Sequence, residues 1–138
     1  WQCGEKNLES IRKQVESSRI ELYGFINDIE TFYLKSNLII SRSGALTLSE
    51  IANFKKPSIL IPFPFAANDH QMSNAKFFEK KGASKIVNQK QLVTGLLEKE
   101  VDRLVKDRDK LKEMEKNASL ISNPDAAQNI VKEILKYV

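Results

Sequence analysis

Residues 41–50, which read SRSGALTLSE, combine the residue types that bind a diphosphate. Gly44 lets the backbone approach a ligand closely, and the N–H groups at the start of a following helix favour an anion. Thr47 adds a hydroxyl, and Glu50 lies one helical turn further along the same face. Its carboxylate could accept hydrogen bonds from the two hydroxyls of a ribose. The segment therefore has suitable groups for a diphosphate that carries a ribose.

The same residues also fit a purely structural pattern. Thr47 and Glu50 match the capping box, a Ser or Thr followed three residues later by an acidic residue. In that motif the two side chains close the N-terminus of a helix. On spacing alone, the capping box explains the pair more simply than a ligand does. Both explanations stay open at this point.

A second polar segment, residues 62–71, reads PFPFAANDHQ. Two prolines give it a rigid base, and a polar cluster follows, made of Asn68, Asp69, His70 and Gln71. Amide side chains both donate and accept hydrogen bonds, which suits sugar hydroxyls. Loops are generally polar, however, and Asp69 also fits the N-cap of a following helix. We assign no general-base role to His70, because no Ser or Cys nucleophile is paired with it.

Strand and helix patterns alternate along the chain up to about residue 87. Short β-rich or apolar runs predict about four strands, at 20–24, 38–40, 59–61 and 84–87. Helical spacing of apolar residues predicts helices at 8–15, around 29–33, at 45–54 and at 71–81, the last one ending at Gly82. Continuous apolar strands are typical of a parallel sheet that is covered on both faces. The alternation therefore predicts an open, doubly wound α/β sheet with Rossmann-like topology.

In such a sheet, ligands bind outside the carboxyl ends of the strands, so the loops after Phe25, Ile40 and Ile61 are the candidate binding loops.

From Leu92 onward the chain is rich in Lys and Glu and is predicted to form a helical tail. A coiled coil is not predicted, because the apolar spacing is not sustained over enough heptads. The sequence of residues 107–109, Asp-Arg-Asp, matches a short metal-binding pattern, but a solvated helix face explains it better.

Composition excludes several classes of protein. The chain has 138 residues, 41% hydrophobic and 29% charged, which suits one compact domain. Cys3 is the only cysteine and His70 the only histidine, which excludes an internal disulfide and a Cys/His metal cage. The net charge of +4 is spread among acidic residues, and nucleic-acid binding is not predicted. Because the chain starts at Trp1 without a recognisable secretory leader, we expect it to be the latter part of a larger protein.

The motifs of this sequence closely resemble those of the MurG family, the undecaprenyldiphospho-muramoylpentapeptide beta-N-acetylglucosaminyltransferases of peptidoglycan synthesis. The resemblance covers nearly the whole chain, and these segments carry it: residues 1–4, 24–26, 41–50, 62–71, 74–75, 82–83 and 123–127. It implies a two-domain GT-B glycosyltransferase, of which residues 1–138 would be the C-terminal, UDP-sugar-binding domain. The first strand and the N-terminal acceptor domain would lie upstream of Trp1.

The resemblance also implies roles for individual residues. The backbone of Ile26 would read the uracil edge, the turn at 45–47 would hold the diphosphate, and Glu50 would bind the ribose hydroxyls. Gln71, helped by Asn68 and Asp69, would face the N-acetylglucosamine ring. The full set of implied substrate-binding residues is Ile26, Ser43, Gly44, Ala45, Leu46, Thr47, Glu50, Asn68, Asp69 and Gln71.

The implied reaction is an inverting transfer of N-acetylglucosamine from UDP-N-acetylglucosamine to a lipid-linked muramoylpentapeptide. It would take place at the cytoplasmic face of the bacterial membrane, in a peripheral protein without a metal or cofactor. No catalytic residue is expected in this chain, which alone should be inactive. Two alternatives stay open: a donor subunit that needs a separate membrane subunit, and a non-catalytic UDP-sugar-binding or interaction module.

Overall fold

The computed structural model describes residues 1–137, which form seven α-helices and one parallel sheet. The elements, in chain order, are α1 (Glu5–Arg12), α2 (Ile29–Lys35), β1 (Ile39–Ser41), α3 (Ala45–Asn53), β2 (Ser58–Leu60), α4 (His70–Lys80), β3 (Ser84–Ile86), α5 (Leu96–Lys106), α6 (Arg108–Ile121) and α7 (Ala126–Ile134). Short 3-10 helices occupy Ala67–Asp69 and Gln89–Thr94. The chain divides into two compact units, Trp1–Phe32 and Tyr33–Val138. None of the described helices is long and apolar enough to cross a membrane.

The sheet of the second unit has the order β1-β2-β3, and both neighbouring pairs are parallel. Ile40 pairs with Ile59, which in turn pairs with Lys85. Helices separate the strands in sequence, so the predicted parallel α/β arrangement is confirmed. The helical tail is confirmed as well, with α5 and α6 separated at Asp107.

A buried apolar cluster joins the sheet to the tail. Ile59 of β2 and Val87, just after β3, are completely buried together with Leu104 of α5 and Met114 of α6. Each side chain of this size that leaves water stabilises the fold by about 1.5–3 kcal/mol. The tail helices are therefore part of the core of this unit.

β1 differs from the prediction. All three residues of β2 are buried, as expected for a strand covered on both faces, but Ile40 in β1 is 46% exposed. β1 is an outer strand of the described sheet and has a neighbour on one side only. The prediction that residues 38–40 are covered on both faces is therefore wrong for Ile40.

The first unit contains α1 and a single parallel bridge between Gln2 and Tyr23. The predicted strand at 20–24 is wrong, because Tyr23 alone pairs there, in one isolated bridge with Gln2. The described sheet accordingly has three strands instead of about four. α1 also ends at Arg12 and does not reach Val15, because apolar spacing identifies the buried face of a helix better than its ends.

Gly82 ends α4 as predicted. Its φ is +73°, and its N–H donates to the carbonyl of Glu79, while the N–H of Ala83 donates to that of Phe78. These two hydrogen bonds form a Schellman motif, which needs a left-handed residue at this position.

Replacing Gly82 with alanine should therefore lower the free energy of unfolding by about 1–2 kcal/mol. The added Cβ would also lie 2.7 Å from Nδ2 of Asn117. Urea denaturation would measure the change. Gly44→Ala is the matched control, because Gly44 has a φ of −66° and nothing lies within 4 Å of a Cβ placed there. Equal stability of the two variants would contradict the prediction.

Candidate functional site

Helix α3 begins at Ala45, a few residues after the end of β1. Gly44, its N-cap residue, has extended backbone geometry and no side chain that could cap the helix. The first hydrogen bond from this turn is donated by Leu48 to the Gly44 carbonyl, 3.0 Å away, so the N–H groups of 45–47 lie before the helical hydrogen-bond pattern begins. Leu46 is 82% exposed, which places this turn at the surface. Such a helix start can bind an anion.

The position of Thr47 decides against the capping box. α3 begins at Ala45, so Thr47 is the third residue of the helix and not its N-cap. A capping box requires the Ser or Thr at the N-cap itself. The capping-box explanation of Thr47 and Glu50 is therefore wrong, because Gly44 stands at the N-cap three residues before Thr47.

The carboxylate of Glu50 lies one turn further along α3 and is half-buried. The phenolic hydroxyl of Tyr33 donates a hydrogen bond to its Oε2, at 3.0 Å. Burial raises the pKa of Tyr33 above its ordinary value, and the hydrogen bond to Glu50 raises it further. Tyr33 therefore remains a neutral donor toward Glu50, whose Oε1 is the oxygen not used in this bond.

A buried serine joins the two polar loops. Ser43, which has no exposed surface, donates its hydroxyl to the backbone carbonyl of Gln71, at 2.8 Å. Nδ2 of Asn74 donates to the carbonyl of Ser43, at 3.1 Å. The start of α3 and the first turns of α4 are thus fastened together. In this structure the Ser43 hydroxyl serves this link, and a substrate contact of Ser43 stays a prediction.

Arg42 makes a second link between the loops, which sequence reasoning missed. Its guanidinium donates to the carbonyls of Ile61 and Pro62, at 3.1 and 3.3 Å, and lies 5.5 Å from the ring centre of Phe63. It brings a positive charge to the carboxyl ends of β1 and β2. A basic residue directly after an apolar strand was a visible signal, but its partners are backbone carbonyls, which no sequence pattern reveals.

The second loop has an unusual backbone before α4. Asn68 and Asp69 both adopt left-handed conformations, with φ of 50° and 52°. Asp69 stands at the N-cap position of α4, but its side chain makes no capping hydrogen bond. The interpretation of Asp69 as a side-chain cap is therefore wrong, because a capping residue normally has an extended backbone. Both side chains are exposed, as is His70, whose Nδ1 lies 2.7 Å from the carbonyl oxygen of Ala67.

The amide oxygen and the amide nitrogen of Gln71 have different roles. Its Oε1 accepts a hydrogen bond from the backbone N–H of Phe63, at 3.0 Å. This bond holds the Pro62–Pro64 turn against the start of α4. The Nε2 group, with two donors, is the part of Gln71 that can address a sugar hydroxyl.

Ile26 belongs to the first unit. Its backbone N–H donates to the side-chain oxygen of Gln2, at 3.1 Å. A base that used this N–H would have to replace Gln2. The predicted contact between Ile26 and uracil stays a prediction.

A cleft of about 420 Å³ lies beside these loops, between α3, α4 and the chain that follows α6. Among the described residues, Ala45 is the one implied binding residue that lines it. The cleft is bordered mostly by helix side chains such as Leu48 and Phe78, so the loop groups described above, and not this cleft, form the candidate site.

The expectation that this chain holds no metal stays a prediction. Residues 1–137 contain no group of three or more His, Cys, Asp or Glu side chains placed to hold an ion. Within the Asp-Arg-Asp sequence, Asp107 accepts a hydrogen bond from the N–H of Lys110 at 2.9 Å and so caps α6. A helix cap therefore accounts for Asp107.

Comparison with known sequences identifies the family. The model of the glycosyltransferase family 28 C-terminal domain matches residues 1–130. The chain belongs to this family. The resemblance to MurG proteins that the motifs indicated is confirmed by relatives that match nearly the whole chain.

Two curated relatives and one solved structure show the extent of the match to this glycosyltransferase family. The UDP-N-acetylglucosamine--N-acetylmuramyl-(pentapeptide) pyrophosphoryl-undecaprenol N-acetylglucosamine transferase of Coxiella burnetii (strain RSA 493 / Nine Mile phase I) is 36% identical over 99% of this chain and 38% of its own length. The protein of the same name from Myxococcus xanthus (strain DK1622) is 38% identical over 94% of this chain and 34% of its own length. The crystal structure of Acinetobacter baumannii MurG matches with a TM-score of 0.86 and 32% identity, over 98% of this chain and 42% of that chain.

These matches confirm the Rossmann-like, C-terminal GT-B fold that the resemblance implied. The chain spans 38% of the length of the Coxiella burnetii relative.

Proposed function

We propose that this chain is the donor-binding domain of an enzyme that transfers N-acetylglucosamine from UDP-N-acetylglucosamine to undecaprenyl-diphospho-muramoylpentapeptide. The observation that carries the proposal is the open N-terminus of α3 with the Glu50 carboxylate one turn behind it. Groups that suit an anion and a diol at this spacing match the diphosphate and ribose of a nucleotide. The names of the family relatives supply the sugar and the acceptor.

Three groups of the second unit would bind the donor. The N–H groups of 45–47 and the positive end of the α3 dipole would hold the diphosphate, with Thr47 adding a hydroxyl. Glu50 would accept from the ribose hydroxyls. The Nε2 of Gln71 would donate to the N-acetylglucosamine ring, with Asn68 and Asp69 exposed nearby in sequence. For the first unit we propose separately that the backbone of Ile26 contacts a uracil.

The proposed reaction inverts the anomeric carbon. The acceptor hydroxyl loses its proton to a base and attacks that carbon, while the bond to the diphosphate breaks and UDP leaves. The α3 N-terminus would stabilise the negative charge that develops on the departing diphosphate. We place the base and the acceptor site in a part of the enzyme outside this chain, and propose no metal or cofactor. Because the acceptor is attached to a lipid, we expect the enzyme to act as a peripheral protein at the cytoplasmic face of the membrane.

Calorimetric titration with UDP-N-acetylglucosamine tests the proposal. Replacing Gln71 with alanine in the full-length protein should reduce the preference for UDP-N-acetylglucosamine over UDP-N-acetylgalactosamine about fivefold to tenfold. These two donors differ in the orientation of one hydroxyl, which an amide can distinguish. The affinity for UDP alone should change less.

Gln71→Glu is the matched control. It keeps an oxygen that can accept from the Phe63 N–H but lacks the amide donors. It should lose the preference as the alanine variant does. An equal loss of affinity for UDP and for both UDP-sugars would place Gln71 outside the sugar pocket. Absence of heat in the unmodified protein would instead favour an interaction module.

A further inference from the structure

Tyr33 is a buried residue next to the proposed nucleotide site that no sequence motif indicated. It lies in the last turn of α2 and is 6% exposed. Its ring stacks on that of Phe54, with a centroid distance of 5.1 Å and an interplanar angle of 6°. Phe54 directly follows the last residue of α3, so the ring is packed against the helix that carries Glu50.

A second contact involves the backbone next to Tyr33. The ammonium group of Lys56 donates to the carbonyl of Leu34, at 3.2 Å, which ties the end of α2 to the segment after α3. Ring stacking and this hydrogen bond together leave the phenolic oxygen little freedom to move. The Glu50 side chain has three rotatable bonds and would otherwise sample many positions. In the pair, the tyrosine is the fixed partner and the carboxylate is the partner that is held.

The geometry points to a positioning role: we infer that Tyr33 holds the Glu50 carboxylate in the orientation that receives the ribose hydroxyls of the nucleotide. This inference rests on the proposed function. Tyr33 donates to Oε2 of Glu50, and a carboxylate offers several further lone pairs for a diol. A carboxylate that is already oriented loses less conformational entropy when the nucleotide binds. Tyr33 acts through Glu50 and does not itself contact the ligand.

This role predicts an effect on ribose recognition in particular. Tyr33→Phe keeps the ring on Phe54 and removes only the hydroxyl. In the full-length protein, the Kd for UDP should rise roughly threefold to tenfold. The Kd for 2′-deoxy-UDP should rise less, because this ligand lacks one of the hydroxyls that Glu50 receives. The Kd for 2′-deoxy-UDP divided by the Kd for UDP should therefore fall, and calorimetry measures both constants.

Two controls separate positioning from a general structural role. Tyr137→Phe removes a hydroxyl from a residue that is 82% exposed, and it should leave both constants unchanged. A thermal melt of Tyr33→Phe reports its stability. A lower melting temperature with an unchanged ratio of the two constants would overturn the inference, because a structural role alone does not distinguish the ligands.

Glu50→Ala distinguishes failure of the inference from failure of the proposed function. If Glu50→Ala weakens UDP binding and Tyr33→Phe does not, Tyr33 has no positioning role while the proposed ribose site stands. If Glu50→Ala itself leaves UDP affinity unchanged, the ribose site is wrong, and the inference falls with it. In the Glu50→Ala background, Tyr33→Phe should produce no additional loss of UDP affinity. If Tyr33→Phe weakens UDP binding as much in that background as in the unmodified protein, the positioning role of Tyr33 is overturned.

Discussion

Glu50→Ala in the full-length protein is expected to weaken UDP binding by about 1.5–3 kcal/mol, the usual contribution of a hydrogen bond to a charged group. Glu50 lies one turn behind the open start of α3, where a ribose would follow a diphosphate. Removing its carboxylate leaves the ribose hydroxyls without their acceptor. Isothermal calorimetry with UDP measures the loss directly.

Glu115→Ala provides a matched control, since Glu115 is an exposed glutamate on α6 and has no part in the proposed site. Its UDP affinity should equal that of the unmodified protein. Glu50→Ala also removes the acceptor of the buried Tyr33 hydroxyl, so some loss of stability is expected. A variant that melts earlier but binds UDP as tightly as before would show that Glu50 is a structural partner of Tyr33 and not a ribose ligand.

The 138-residue chain alone is expected to show no transfer of N-acetylglucosamine, even with UDP-N-acetylglucosamine and the lipid acceptor supplied. An inverting transfer needs a base for the acceptor hydroxyl and a surface that holds this oxygen in line with the anomeric carbon. His70 is the only histidine, and it is exposed beside the proposed sugar loop. Stabilisation of the leaving diphosphate by α3 assists only after the nucleophile is in place.

Transfer of radiolabelled sugar to the lipid measures this activity, with the full-length protein as the positive control. Titration of the chain with UDP-N-acetylglucosamine in parallel would show whether it still binds donor. Labelled lipid formed by the chain alone, and absent with a His70→Ala variant, would contradict the prediction and make His70 catalytic.

Local sequence signals predicted the elements that carry the candidate site. Gly44 and the apolar positions of α3 located the start of this helix, and Gly82 located the end of α4. These signals work because they depend on backbone geometry and on burial of a single face, which neighbouring residues determine. The strand predicted at 59–61 was also evident, since Ile59 and Leu60 are buried and apolar, although β2 begins one residue earlier, at Ser58.

Contacts between distant residues were beyond sequence reasoning. The Tyr33–Glu50 hydrogen bond joins residues 17 positions apart, and Arg42 bonds to carbonyls 19 and 20 positions away. Asp69 has the right residue type for a cap, but the turn before it imposes a left-handed backbone. The segment at 20–24 has β-forming residues, yet a strand requires a continuous ladder with a partner, and here Tyr23 alone pairs, with Gln2.

The buried link through Ser43 has a consequence for engineering donor specificity. The Ser43 hydroxyl donates to the Gln71 carbonyl, and the Ser43 carbonyl accepts from Asn74, so the segments at 41–50 and 62–71 share one anchor. Both of these hydrogen bonds end on backbone carbonyls, so a chimera that imports residues 62–71 from a relative with another sugar preference would keep the anchor if Ser43 and Asn74 are retained. Loop exchange should therefore leave Ser43 and Asn74 in place, because losing either side chain would free the imported loop from the start of α3, the proposed diphosphate site.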